Sequence, residues 1–242
     1  MSAPPAEARR LAAACAAGLV LVLVVLVVSA AIRLGAEFFT SSEMKLLRGV
    51  HRSSASLEVL ASIAVAWLAW RTQTRVGAAV LAVLLTVILS ILGILAGQKP
   101  PPGAAFGNLT LGLALAASFA WLLGSTYRRE SANQRGASLA AALVVAQVLL
   151  GGWIAIFSET LWTWALAAHA LLGIALAGGA VWLARRIERA APRFALAVLA
   201  LAVPAAGFAS ALFEQPLAAG LAHAAAAALF VSAVAYGHAR IA

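Results

Sequence analysis

Eight apolar stretches, each long enough to cross a bilayer, follow one another along this chain, and that repetition leaves few folds open to it. They cover roughly 11–32, 50–70, 77–97, 105–126, 137–157, 162–184, 194–213 and 217–237. A hydrocarbon core about 30 Å thick takes about 20 apolar residues in a helix. Backbone polar groups at that depth must bond within their own segment, so each stretch reads as a transmembrane helix. Hydrophobic residues make up 64% of the 242 positions and charged residues 10%, which leaves no stretch for a soluble domain. The expected fold is an all-α polytopic membrane protein of eight transmembrane helices, built as two tandem four-helix bundles.

The formal charge of +9 does not indicate nucleic acid, because the cations sit in short loops between the spans. One side collects Arg9, Arg10, Arg71, Arg75, Arg128, Arg129, Arg135, Arg185, Arg186, Arg189, Arg193 and Arg240. The other holds only Arg33, Lys45, Arg48, Arg52 and Lys99. Loops rich in Lys and Arg stay in the cytoplasm, so both termini are expected inside, in a bacterial-type inner membrane. Trp153, Trp162 and Trp164 fall at the opposite, outer ends, and Trp67, Trp70, Trp121 and Trp182 at inner ends, as two interfacial belts. The first stretch resembles a signal peptide in having Arg9 and Arg10 ahead of it, but its apolar run exceeds the ~7–15 residues of a signal core and reads as a retained helix. Cys15, the single cysteine, lies within that helix, where a packing role is expected and an intrachain disulfide is excluded.

The polar loop from Tyr127 to Gly136 divides the chain into residues 1–130 and 131–242, four spans in each. The second span of each half carries a histidine near its outer end, His51 and His169. The fourth span carries Asn108 in the first half and His223 in the second, at nearly the same interval from the histidine before it. Tandem four-helix repeats of this kind are related by an axis along the membrane normal. The third span of each half is almost without polar side chains and is expected to support the bundle or face lipid. Pro204, inside the seventh span, removes a backbone donor there.

Polar and ionisable side chains in a membrane are costly and mark function by default. His169 and His223 lie at matching depth on helices that run in the same direction, flanked by Ala167, Ala168, Ala170 and Gly173, and by Gly220, Ala222, Ala224 and Ala226. Axial nitrogens from two facing helices and a slot lined by small residues are what a haem inside a bundle needs, which makes these two the candidate haem ligands. Hydrogen bonding to backbone carbonyls is the plainer alternative. His238, at the inner end beside Arg240, needs no special role.

In the first half, Arg48 and Arg52 flank His51. They fit two readings, pairing with haem propionates or snorkelling at the interface. Glu58 lies two turns deeper on the His51 face in an apolar run, and Ser54 falls between them, so the three form one polar stripe. Glu58 is a candidate proton relay or a structural hydrogen-bond partner. Asn108 stands where the repeat predicts a second ligand, and asparagine binds haem iron poorly. The first half therefore has either an open axial position, suited to oxygen chemistry, or no haem at all. Gln147, the one strongly polar side chain within the fifth span, is expected to bond a neighbouring helix or a ligand.

These residues carry a resemblance. Ala31-Ile-Arg-Leu-Gly closing the first span, His51-Arg52 opening the second, Gln147-x-x-Leu-Gly-Gly in the fifth, and His169 and His223 in the sixth and eighth resemble the haem A synthase family of cytochrome oxidase assembly. The resemblance covers nearly the whole chain. It implies oxidation of the haem O methyl group to a formyl, with haem b as cofactor in the second half. It assigns His169 and His223 to haem b and His51 to the site of the substrate, haem O. It further implies haem O synthase, an electron donor and oxidase assembly factors as candidate partners beside membrane lipid, with a homo-oligomer left open. The chain departs from the family pattern in the first half. Arg48 stands three residues before His51 where the family usually has glutamate, Asn108 replaces a second histidine, and the outer cysteine pair of some members is missing. Glu58 is the candidate replacement for the missing carboxylate.

Overall fold

The computed structural model describes residues 6–96, 100–127, 134–157, 163–185, 190–212 and 216–241. Eight helices fill them: α1 (Ala6–Leu34), α2 (Ser41–Thr72), α3 (Val76–Ala96), α4 (Pro102–Ser125), α5 (Gln134–Phe157), α6 (Thr163–Ala184), α7 (Ala190–Leu212) and α8 (Pro216–Ile241). All eight are long and apolar enough to span a membrane, so the chain is an all-α, multi-pass membrane protein. The loop positions Lys99, Arg128, Arg129, Ser158, Glu159, Trp162, Arg186 and Arg189, with the side chain of Arg135, lie outside the described residues.

The largest departure from the expected extents is in α2. α2 begins at Ser41, nine residues before the apolar stretch does. Its 32 residues span about 48 Å at about 1.5 Å each, well beyond a hydrocarbon core. The cause is local: Thr40 and Glu43 form a capping box, with the Thr40 amide donating to Glu43 Oε2 at 2.8 Å and the Glu43 amide donating to Thr40 Oγ1 at 3.3 Å. The added turns carry Lys45, Arg48 and exposed Leu46.

Packing follows the order of the chain. Each half closes on itself as a ring, α1 to α2 to α3 to α4 and back, and α5 to α6 to α7 to α8 and back. Helices diagonally opposed in a ring, α2 and α4 or α6 and α8, make no backbone contact among the described residues. Between the halves α4 packs on α8, while α4 meets α5 just as α8 meets α1. That exchange is the pattern of a two-fold axis running between α4 and α8. The α4–α8 crossing is close at the arginine-rich end, where a Cβ on Gly124 would stand 2.5 Å from the Tyr236 carbonyl oxygen. Only a glycine permits that approach.

Both hydrophobic cores lie towards the arginine-rich end. Leu11, Cys15, Val22, Val65, Leu115, Phe119 and Leu122 build the first. Val144, Leu176, Ala180, Leu196, Ala200, Phe230 and Val231 build the second. The opposite end of each ring, where helices α2, α4, α6 and α8 start, is left to the polar residues. At the arginine-rich end, Arg71 and Arg75 lie 5.1 Å from the ring centres of Trp67 and Trp121, so cations and aromatics share one level.

Candidate functional site

In the second half all four helices converge on two imidazoles. His169, six residues into α6, and His223, seven into α8, bring their ring centres to 6.3 Å with planes at 75°. Since α6 and α8 do not touch, the rings bridge the diagonal of the bundle. Two imidazoles on opposite sides of one metal, each with a metal–nitrogen distance of about 2.0–2.1 Å and about 1.1 Å from nitrogen to ring centre, would have centres about 6.3 Å apart, against about 5 Å on a tetrahedral ion. An edge-on aromatic contact falls in the same range, so the hydrogen bonds around the rings decide what the pair can do.

His223 Nδ1 lies 3.0 Å from the Val203 carbonyl oxygen of α7. A carbonyl only accepts, so Nδ1 carries the proton, and Nε2 of the neutral ring is a bare lone pair able to bind metal. The ring reaches that carbonyl because Gly207, one turn on, has no Cβ; one placed there would lie 3.0 Å from Nδ1 and 3.1 Å from Cε1. His169 is seated the same way against α5, where a Cβ on Gly151 would come within 2.6 Å of its Cε1. Gln147 Nε2 donates to the His169 carbonyl at 3.0 Å and stands 3.5 Å from His169 Nε2. Gln147 thus ties α5 to α6 and touches the imidazole as well, and a Cβ on Gly173 would crowd its amide at 3.0 Å. Two polar atoms here, His169 Nδ1 and Gln147 Oε1, are buried without a hydrogen-bond partner. Such atoms are costly and rare in a finished interior.

Among the described residues no group of three or more His, Cys, Asp or Glu side chains converges, so no protein-only cage for a bare ion is present. Two imidazoles suffice only where the metal brings its own equatorial ligands, as in a macrocycle. The bare Nε2 of His223, the ring spacing and the orphaned atoms fit haem, which His169 and His223 would hold.

The first half is arranged otherwise. The His51 ring lies against the Val25 backbone of α1, and its Nδ1 is buried without a partner. No hydrogen bond joins it to Asn108, which bonds no described residue through its side chain. Arg48 and Arg52 line, with Ser41, Met44, Lys45 and Gly49, an open groove of about 500 Å³ on the projecting part of α2. Glu58 is 5% exposed and belongs to a different cluster from the one expected. Thr86 Oγ1 of α3 donates to Glu58 Oε1 at 2.8 Å, Ser62 Oγ reaches the same oxygen at 3.4 Å, and the two hydroxyls lie 2.8 Å apart. The stripe from His51 through Ser54 to Glu58 is not what the hydrogen bonds join. The carboxyl is tied instead into the α2–α3 seam, towards the arginine-rich end.

Val203, Gly207 and the Thr86–Ser62 pair escaped sequence reasoning. Val203 acts through its carbonyl, which no side chain reports, and Gly207 works across a helix boundary rather than beside the histidine. Thr86 sits one helix from Glu58 in a run otherwise apolar. The small neighbours named from sequence play a lesser part, with only Gly173 closing on the site and Gly220 meeting Leu34 instead.

Compared with known proteins, the chain matches no family model, and no curated protein is significantly similar to it.

Proposed function

We propose that this is a membrane haem protein that carries haem b between His169 and His223. The observation that supports it is the pair of imidazoles meeting across a bundle diagonal, 6.3 Å between centres, with one Nε2 left bare by a backbone hydrogen bond. Haem bound there supplies one-electron redox chemistry. The chain's own contribution is to orient both rings from α5 and α7 and to keep the macrocycle among apolar helices. In line with the resemblance to the haem A synthase family, we assign the protein to conversion of haem O to haem A. Haem O would enter the first half beside His51, with Arg48 and Arg52 at its mouth and the termini in the cytoplasm.

A second reading, a noncatalytic haem b protein for electron transfer or oxidase assembly, is favoured by one feature. His51 has no opposing ligand from α4, and Glu58 is already engaged by Thr86 and Ser62. Haem extracted from cells that express the protein together with a haem O source separates the two. Haem A in the extract, lost on His51→Ala, supports the synthase. Haem O alone, with the protein folded and its haem b reducible, supports the second reading.

A further inference from the structure

We propose that the two imidazoles are unequal ligands: His223 is the fixed one, and His169 yields its place to a small diatomic ligand. The proposal rests on the haem reading above and gives that site a further activity, the binding of a neutral diatomic. The inequality lies in what holds each ring. His223 is locked at its far nitrogen, since Nδ1–H donates to the Val203 carbonyl at 3.0 Å. A hydrogen bond at that position fixes the tautomer and ring orientation and raises the basicity of the nitrogen facing the metal. Gly207 makes the lock possible by leaving α7 open to the ring.

His169 has no such lock. Its Nδ1 is buried with no acceptor, and Gln147 grips the backbone carbonyl of His169 rather than that nitrogen. The same amide of α5 stands 3.5 Å from His169 Nε2. An amide N–H can only donate, so it competes with a metal for the Nε2 lone pair. A His169 ring that lets go finds a hydrogen bond waiting, and the desolvation cost of releasing it falls accordingly. One ligand is thus preset, and the other has a resting place off the metal.

The test uses the full-length protein purified in detergent with its haem, reduced and exposed to carbon monoxide as the probe. The wild type is expected to bind carbon monoxide. His169→Ala is expected to keep its haem as a five-coordinate, high-spin species, return to six-coordination with added imidazole, and bind carbon monoxide faster. His223→Ala is expected to lose haem. Gln147→Leu is expected to weaken carbon monoxide binding roughly fivefold, the worth of one hydrogen bond to the released ring. Gly207→Ala pushes the His223 ring off Val203 and is expected to raise the reduction potential with haem retained, a shift that a purely structural role would not produce. Equal haem loss in the two histidine variants, a reduced wild type inert to carbon monoxide, or an unchanged potential in Gly207→Ala overturns the inequality while leaving the haem reading standing. A wild-type protein without haem overturns the haem reading itself.

Discussion

The two halves share a ring of four antiparallel helices and differ in how they spend their interiors. In the first, every apolar window is 22–39% buried, and the largest fully buried side chains of the described residues, Phe119, Leu115, Leu122, Val22 and Val65, all belong to it. In the second, the windows are 11–28% buried, and the centre holds two imidazoles, a glutamine and two polar atoms without partners. The first half holds one polar cluster, Glu58, Ser62 and Thr86 in mutual hydrogen-bond contact, and one buried polar atom without a partner, His51 Nδ1. The polar group of the second half is open. A satisfied polar cluster stabilises, whereas an unsatisfied one costs free energy that a bound ligand or water can offset. The first half thus holds its buried carboxyl within the protein, while the second leaves two polar atoms of facing helices without partners.

The comparison can be broken at four points, from the largest effect to the smallest. Retention of haem b should depend on the second half. The double variant His169→Ala/His223→Ala should lose all haem absorbance, while Asn108→Ala keeps it, read from the visible spectrum of purified protein. Packing should depend mostly on the first half. Phe119→Ala opens a cavity beneath Gly18 and should cost about 3–5 kcal/mol in a detergent unfolding assay. Phe230→Ala, in the looser second core, should cost less in the same assay. Thr86→Val removes the main donor to Glu58 and should cost about 1 kcal/mol, with no change in haem content. The Arg71–Glu7 pair, 3.7 Å apart with both side chains about half exposed, should contribute nothing measurable when Glu7 is changed to Gln.

Much of this was legible in the sequence, and what was not has a common cause. Helices show themselves because the bilayer demands an apolar run of fixed length, so α3, α5, α6 and α7 begin and end within a few residues of the expected spans. α2 runs further because its start is set by the Thr40–Glu43 box, a signal present in the letters but outside the apolar stretch. His169 and His223 could be paired from depth and direction alone, since α6 and α8 run the same way from the same end of the bundle. The partners of these residues could not. Val203 acts through its backbone, Gly207 through an absent side chain, and Thr86 through a neighbour on another helix, so each is a property of packing rather than of pattern. His51 and Asn108 occupy the positions that the expected repeat pairs, yet no hydrogen bond joins them. Equivalent positions do not guarantee an equivalent site once one ligand type has changed.

The most direct test of the account is the haem content of the purified wild-type protein beside that of His169→Ala/His223→Ala, both checked for folding by their helical circular dichroism. The account predicts a stoichiometric haem b in the wild type, six-coordinate and low-spin, and none in the double variant. A folded wild-type protein that takes up no haem, or a double variant that keeps it, would contradict the claim that these two imidazoles are its axial ligands.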